Sequence, residues 1–362
     1  MTMQRRNELE QKGIAFMMVA LLVLAMAIYS YSANAQGIIA VHKTSIDQSQ
    51  GSNAGKSIRL ATSADVEISA VPLNATFNSA YAELKPTLSP DGTRLYFSRA
   101  HHPDNTFGET DAEDIWYSAF DKTSDTWSEP VRMAGLLNNH GPNFIDNVSM
   151  TGDTVILGNQ YGKKGKMRAG LSYSVNVDGQ WSAPLSINIL NDYNMSSHAN
   201  AFVSLKSGVI IKAIQRGETF GERDLYVSFW DGVKATEPVN MGGVINTSLE
   251  ESSPFLADDN KTLYFASKGH AGFGGYDIFV TTRLDDSWTN WSEPQNLGTA
   301  VNGSLDDEFF SIAKCGKYAV FSKQVSVHNV DLFKITTDDL FGKSNNKNDK
   351  AAVNGPSSYA SL

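Results

Sequence analysis

Three carboxylates recur at one place in a repeated stretch of this chain. They are Glu83, Glu251 and Asp307, each three residues before Pro86, Pro254 and Phe310. Acidic side chains that face one axis can share the acid, base and stabilising roles of glycoside cleavage, a geometry that five-bladed glycosidases use. One position repeated unit after unit also fits a scaffold role, each carboxylate accepting backbone N–H bonds at a strand entrance. A second group lies on the longest loop, where His101 and His102 precede Asp104, Glu109, Asp111 and Glu113. The four acids offer oxygens suited to Ca²⁺, although their spacing matches no EF-hand. A solvated loop is the alternative, and no cofactor is expected. Phe107, Phe220 and Phe273, each followed by Gly, place aromatic faces on three loops. They would serve a glycan or peptide as a platform, or fold inward as anchors. Nucleophile elbows, phosphate loops and zinc spacings are absent from the sequence.

The elements that must position these residues are short strands. Strand signals begin at Asp114, Gly170, Asp224, Asp277 and Asp331, spaced 56, 54, 53 and 54 residues apart. Pro130, Pro184, Pro238 and Pro294 run in phase with them, spaced 54, 54 and 56. Two markers with one period identify a repeat, and a unit of this length holding four strands is a propeller blade. A proline at the same place in each unit suits the outermost strand, where a missing N–H breaks no ladder bond. Trp127, Trp181 and Trp291 open three of those strands and are expected between blades. The fifth unit lacks an outer strand, while Val66–Leu73 stands unpaired before the first unit. The expectation is an all-β, five-bladed β-propeller of four-stranded blades closed by its N-terminal strand, with Pro72 as the counterpart of Pro294.

Composition bounds the partners. Of 362 residues, 41% are hydrophobic and 10% aromatic, enough for a sizeable core. The net charge is −9, and basic residues cluster only at Lys163–Lys166, so nucleic acid is not an expected partner. Residues 1–35 read as a signal peptide: Arg5, Arg6 and Lys12, an apolar run from Ile14 to Ile28, then a small-residue site with cleavage after Ala35. An uncleaved anchor is the alternative; with cleavage, the mature chain carries no membrane span and is periplasmic or secreted. Residues 36–64 read as a linker, 65–341 as the propeller and 342–362 as a disordered tail. Cys315 is the single cysteine, which rules out an intrachain disulfide.

Ser89-Pro90-Asp91-Gly92-Thr93-Arg94-Leu95-Tyr96-Phe97-Ser98 resembles the strand–turn–strand of WD-like propeller repeats of the TolB-type branch. Units ending in Trp-Ser-Glu-Pro, with Gly-Gly-Tyr-Asp-Ile-Phe inside, are similar to repeats of exported bacterial envelope proteins. The second and third units depart from the pattern, with Met150-Thr151-Gly152-Asp153 and Leu205-Lys206-Ser207-Gly208 in place of the Pro-Asp-Gly turn. The resemblance implies export and binding without a reaction. The expected function is therefore a non-enzymatic scaffold that binds an envelope protein or a glycan on its loop face. The alternative is a glycan-active hydrolase or lyase using Glu83, Glu251 and Asp307.

Overall fold

A computed structural model describes residues 69–124 and 126–341. The signal peptide, the linker, residues 65–68 of the expected propeller and the tail lie outside the described residues. Among the described residues, no helix is long and apolar enough to cross a membrane.

Five antiparallel sheets follow one another along the chain. The inner strands are Ala82–Leu88, Ile145–Val148, Asn200–Val203, Glu251–Leu256 and Asp307–Ile312. Each is followed by two strands of six to eleven residues and, in the first four blades, by a two-residue outer strand, giving a five-bladed propeller. The prolines fall where the ladder tolerates them: Pro130, Pro184, Pro238 and Pro294 each immediately precede an outer strand. The last blade takes its outer strand from the front of the chain, where Val71–Pro72 pairs antiparallel with Asn329–Thr336. This pairing closes the ring.

The register of closure differs from the sequence expectation by two residues. Pro72 lies opposite Phe333, a place taken in the fourth blade by Asn296 opposite Phe279. Ala70 is thus the counterpart of Pro294. A slip of two keeps every side chain on its own face, because the strand period is two.

The core is divided among the joints between blades. Five hydrophobic clusters each draw on two neighbouring blades. One joins Leu95, Phe97 and Trp116 of the first blade to Val320 and Leu332 of the last. Trp127, Trp181 and Trp291 each pack at one of these joints.

A polar clamp recurs at four of the joints. Asn78, Asn138, Asn246 and Asn302 accept from the backbone N–H of Leu332, Ile115, Leu225 and Ile278 and donate to the same residue's carbonyl. Each pins a loop between blades to a third strand. Asn302→Ala strands the Ile278 amide, which is buried, and is expected to cost about 1–3 kcal/mol. Urea denaturation checks this; an unchanged midpoint would rule out the clamp.

Candidate functional site

Glu83, Glu251 and Asp307 do occupy one repeated position, but the structure spends them on the joints. All three are at most 1% exposed. Glu83 accepts from Ser79 N, Ser79 Oγ and Arg99 Nε. Glu251 accepts from Thr247 N, Thr247 Oγ1 and Ser267 Oγ, and Asp307 from Gly303 N and Lys323 Nζ. The backbone donor lies four residues upstream in every case, so each acid fastens the loop that enters its own inner strand. Burial pushes all three carboxyls up, and the charge of the preceding blade's Asp331, Asp224 or Asp277 adds to the effect. Each acid thus belongs to a separate joint. Asn143 holds the same place in the second blade and accepts from Asn139 N.

The long loop also disperses its candidates. His101 Nδ1 meets the Glu109 carbonyl, while His102 lies between the rings of Tyr81 and Trp116, at 5.0 and 4.9 Å. Burial and the Arg99 charge push the His102 pKa down. Asp104 stands out in solvent, Glu109 meets Tyr81 Oη, and Asp111 is buried under the Phe107 amide. Among the described residues, no three His, Cys, Asp or Glu side chains gather as a metal site. The rings of Phe107, Phe220 and Phe273 are about half exposed on three different blades. Each Phe backbone N–H is held by the Asp four residues on.

Glu113 is different, for it reaches the axis. It accepts from Lys85 Nζ at 3.1 Å and from Ser98 Oγ at 2.9 Å. The Lys85 ammonium also sits 3.5 Å above the Phe144 ring of the second blade and 5.4 Å from the Phe309 ring of the fifth.

What aims these side chains is a β-bulge repeated in the inner strands. The ladders slip between Leu84 and Thr87, Ser252 and Phe255, and Glu308 and Ser311. Lys85, Ser253 and Phe309 stand within these slips with positive φ of 56°, 48° and 56°. None is glycine, and such backbone costs on the order of 1–3 kcal/mol per residue. Bulges re-aim side chains, and here they turn them towards the axis. In the second blade the ladder slips between Ile145 and Asn147, leaving Asp146 as the unpaired extra residue.

An axial cavity of about 100 Å³ results. One equivalent residue from each blade forms its floor: Lys85, Ile145, Asn200, Ser253 and Phe309. Beyond that floor, Asn200 Nδ2 donates to Ser252 Oγ, and Ser252 Oγ and Ser253 Oγ donate to Glu308. The walls run down to the hairpin turns at Pro90, Met150, Lys206, Asp258 and Lys314. The cavity therefore opens on the hairpin-turn face, opposite the long loop.

Asp146 projects into this cavity and its Oδ2 is buried without a protein partner. Burial outweighs the charge of Lys85 and the Ala201 amide, and with the charge of Glu113 it pushes the carboxyl up to about 7. Burial likewise pushes Glu308 up. A carboxylic acid pushed up to near neutrality, with the Glu113 carboxylate acting on it, is equipped for general acid catalysis.

No known family profile matches the chain, and no curated protein does. Among solved structures it is similar to an α-L-arabinofuranosidase from Lactobacillus brevis. Identity is 12%, with 72% of this chain and 92% of that one covered and a TM-score of 0.46. It is also similar to a Bombyx mori GH32 β-fructofuranosidase, at 9% identity with 72% and 62% covered and a TM-score of 0.45. A third is the Trypanosoma rangeli sialidase, at 11% identity with 72% and 46% covered and a TM-score of 0.41. These are sugar-cleaving propellers and not WD-like repeat proteins of the TolB-type branch. The resemblance drawn from Ser89–Ser98 is corrected accordingly, and with it the non-enzymatic scaffold role that rested on it.

Proposed function

We propose that this protein is an exported glycan-active hydrolase that removes a terminal group inside the axial cavity. The observation that carries this reading is Asp146, a bulged residue whose Oδ2 is buried without a protein partner on the wall of the axial cavity, with burial pushing its carboxyl up to about 7. Asp146 donates its proton to the leaving oxygen as the glycosidic C–O bond breaks. Water supplies hydroxide to the anomeric carbon, and its proton passes to a second carboxylate. Glu113, whose charge acts on Asp146 from behind the floor and which Lys85 and Ser98 hold, is assigned that second role; Glu308 lies beyond the floor on the Ser252 and Ser253 hydroxyls. The cavity is smaller than the roughly 300 Å³ at which small-molecule pockets begin, so it suits one end group and not a length of polymer.

The test is release of reducing sugar from a panel of glycans by the whole chain. Turnover that falls about 10²–10⁴-fold in Glu113→Gln supports the assignment. Silence across the panel overturns it. Export by cleavage after Ala35 predicts a mature N-terminus at Gln36, read by N-terminal sequencing of protein from the exported fraction. A retained Met1 would contradict it.

A further inference from the structure

The charges along the axial cavity are mixed in sign, and all but one of the cations are matched. Five charged side chains line it: Lys85, Asp146, Lys206, Asp258 and Lys314. Asp258 is ion-paired with Lys314 across the hairpin turns, and Lys85 is paired with Glu113 at the floor. Asp146 carries little charge below about pH 7. Lys206 stands exposed at the mouth and makes no ion pair among the described residues. Lys206 is thus an unmatched positive charge on the lining while Asp146 holds its proton, in a chain whose net charge is −9. Low-dielectric walls focus such a field on whatever enters.

Depth adds to this. The strand that carries Asp146 ends at Val148, two residues on at about 3.3 Å each, or roughly 7 Å. A group that reaches Asp146 therefore brings its neighbouring sugar to the level of the hairpin turns, where Lys206 stands. The floor offers Asn200 and Ser253 as polar contacts, while Phe202, Phe255 and Phe309 supply apolar faces.

We infer that the mouth on the hairpin-turn face selects an anionic glycan, one that carries a uronic acid next to its end group, with Lys206 as the residue that discriminates it from a neutral chain. This rests on the hydrolase reading and names its substrate class. Lys314 and Lys85 are each matched by a carboxylate, and Lys206 contributes the unpaired charge. Cys315 follows Lys314 at the same mouth and is exposed, so it reports occupancy without any turnover.

The experiment measures binding of a trigalacturonate and of a neutral trigalactoside to the whole chain by calorimetry, with alkylation of Cys315 by iodoacetamide followed by mass spectrometry. Expected results are binding of the trigalacturonate that weakens roughly fivefold in Lys206→Ala and weakens further at high salt, with slowed alkylation of Cys315. Equal binding of both sugars, or binding that leaves Cys315 alkylation unchanged, overturns the inference. Because neither readout requires turnover, loss of the hydrolase reading alone would show as trigalacturonate binding with no product. Turnover of neutral glycans only would overturn the anionic selection and leave the hydrolase reading in place.

Discussion

Asp146→Asn is expected to lower glycan turnover by about 10²–10⁴-fold, the range that loss of a general acid produces. The variant removes the proton that the leaving oxygen needs and keeps the side-chain volume. Two pH effects accompany it. In the folded protein the carboxyl titrates near 7, well above its ordinary value. Activity that depends on the protonated acid is therefore present below about pH 7 and lost above it. Stability follows from linkage. Between about pH 4 and 7 the folded chain holds a proton that the unfolded chain has released, so stability falls as pH rises through that window and levels off above it. The slope from this one group is at most about 1.4 kcal/mol per pH unit. Asparagine cannot titrate, so the variant is expected to lose that slope while Glu83, Glu251 and Asp307 keep theirs. Urea midpoints at pH 5 and pH 8, with initial rates at both, separate the two effects. A variant with wild-type turnover and a wild-type pH slope would exclude Asp146 as the acid.

Opening the ring is expected to be the most damaging structural change. Removing residues 1–78 takes away Val71–Pro72, the strand that completes the last blade. It also removes Phe77, which is 2% exposed and packs edge-on against Phe97 and Trp127. Asn78 goes as well, leaving Leu332 N without its acceptor. Phe77→Ala alone should cost about 3–5 kcal/mol, a large fraction of the 5–15 kcal/mol typical of a whole domain. The truncated chain should therefore show no cooperative unfolding transition, whereas Phe77→Ala keeps one at a lower urea midpoint. Tryptophan fluorescence during urea titration reads both. A truncated chain that unfolds at the full-length midpoint would show that closure contributes little.

Much of the fold was legible because it is periodic. The Asp and Pro markers located five blades, and the missing fifth outer strand pointed to closure from the front. The two-residue error at Pro72 arose because a proline can sit at either of two ladder positions on an outermost strand without losing a bond. The site was harder to read. Glu83, Glu251 and Asp307 drew notice by recurring, yet each fastens a joint of its own. The informative residues break the repeat. Pro86, Asp146, Ala201, Pro254 and Phe310 share one column, and only one of them bears a charge. That signal was present in the alignment. The bulge that turns Asp146 out of its ladder was not, since it comes from how neighbouring strands pair and leaves no motif of its own. The clamp residues Asn78, Asn246 and Asn302 were also readable, each five residues before its buried acid.

The central claim is that the Asp146 carboxyl keeps its proton near neutrality inside the axial cavity. Carbon-13 NMR of the aspartate carboxyls across pH 3–9, with Asp146→Asn to assign the resonance, tests it most directly. The account predicts a titration near 7 for the resonance that the variant lacks. A midpoint near 4, the ordinary value for aspartate, would contradict it and remove the acid on which the proposed hydrolysis depends.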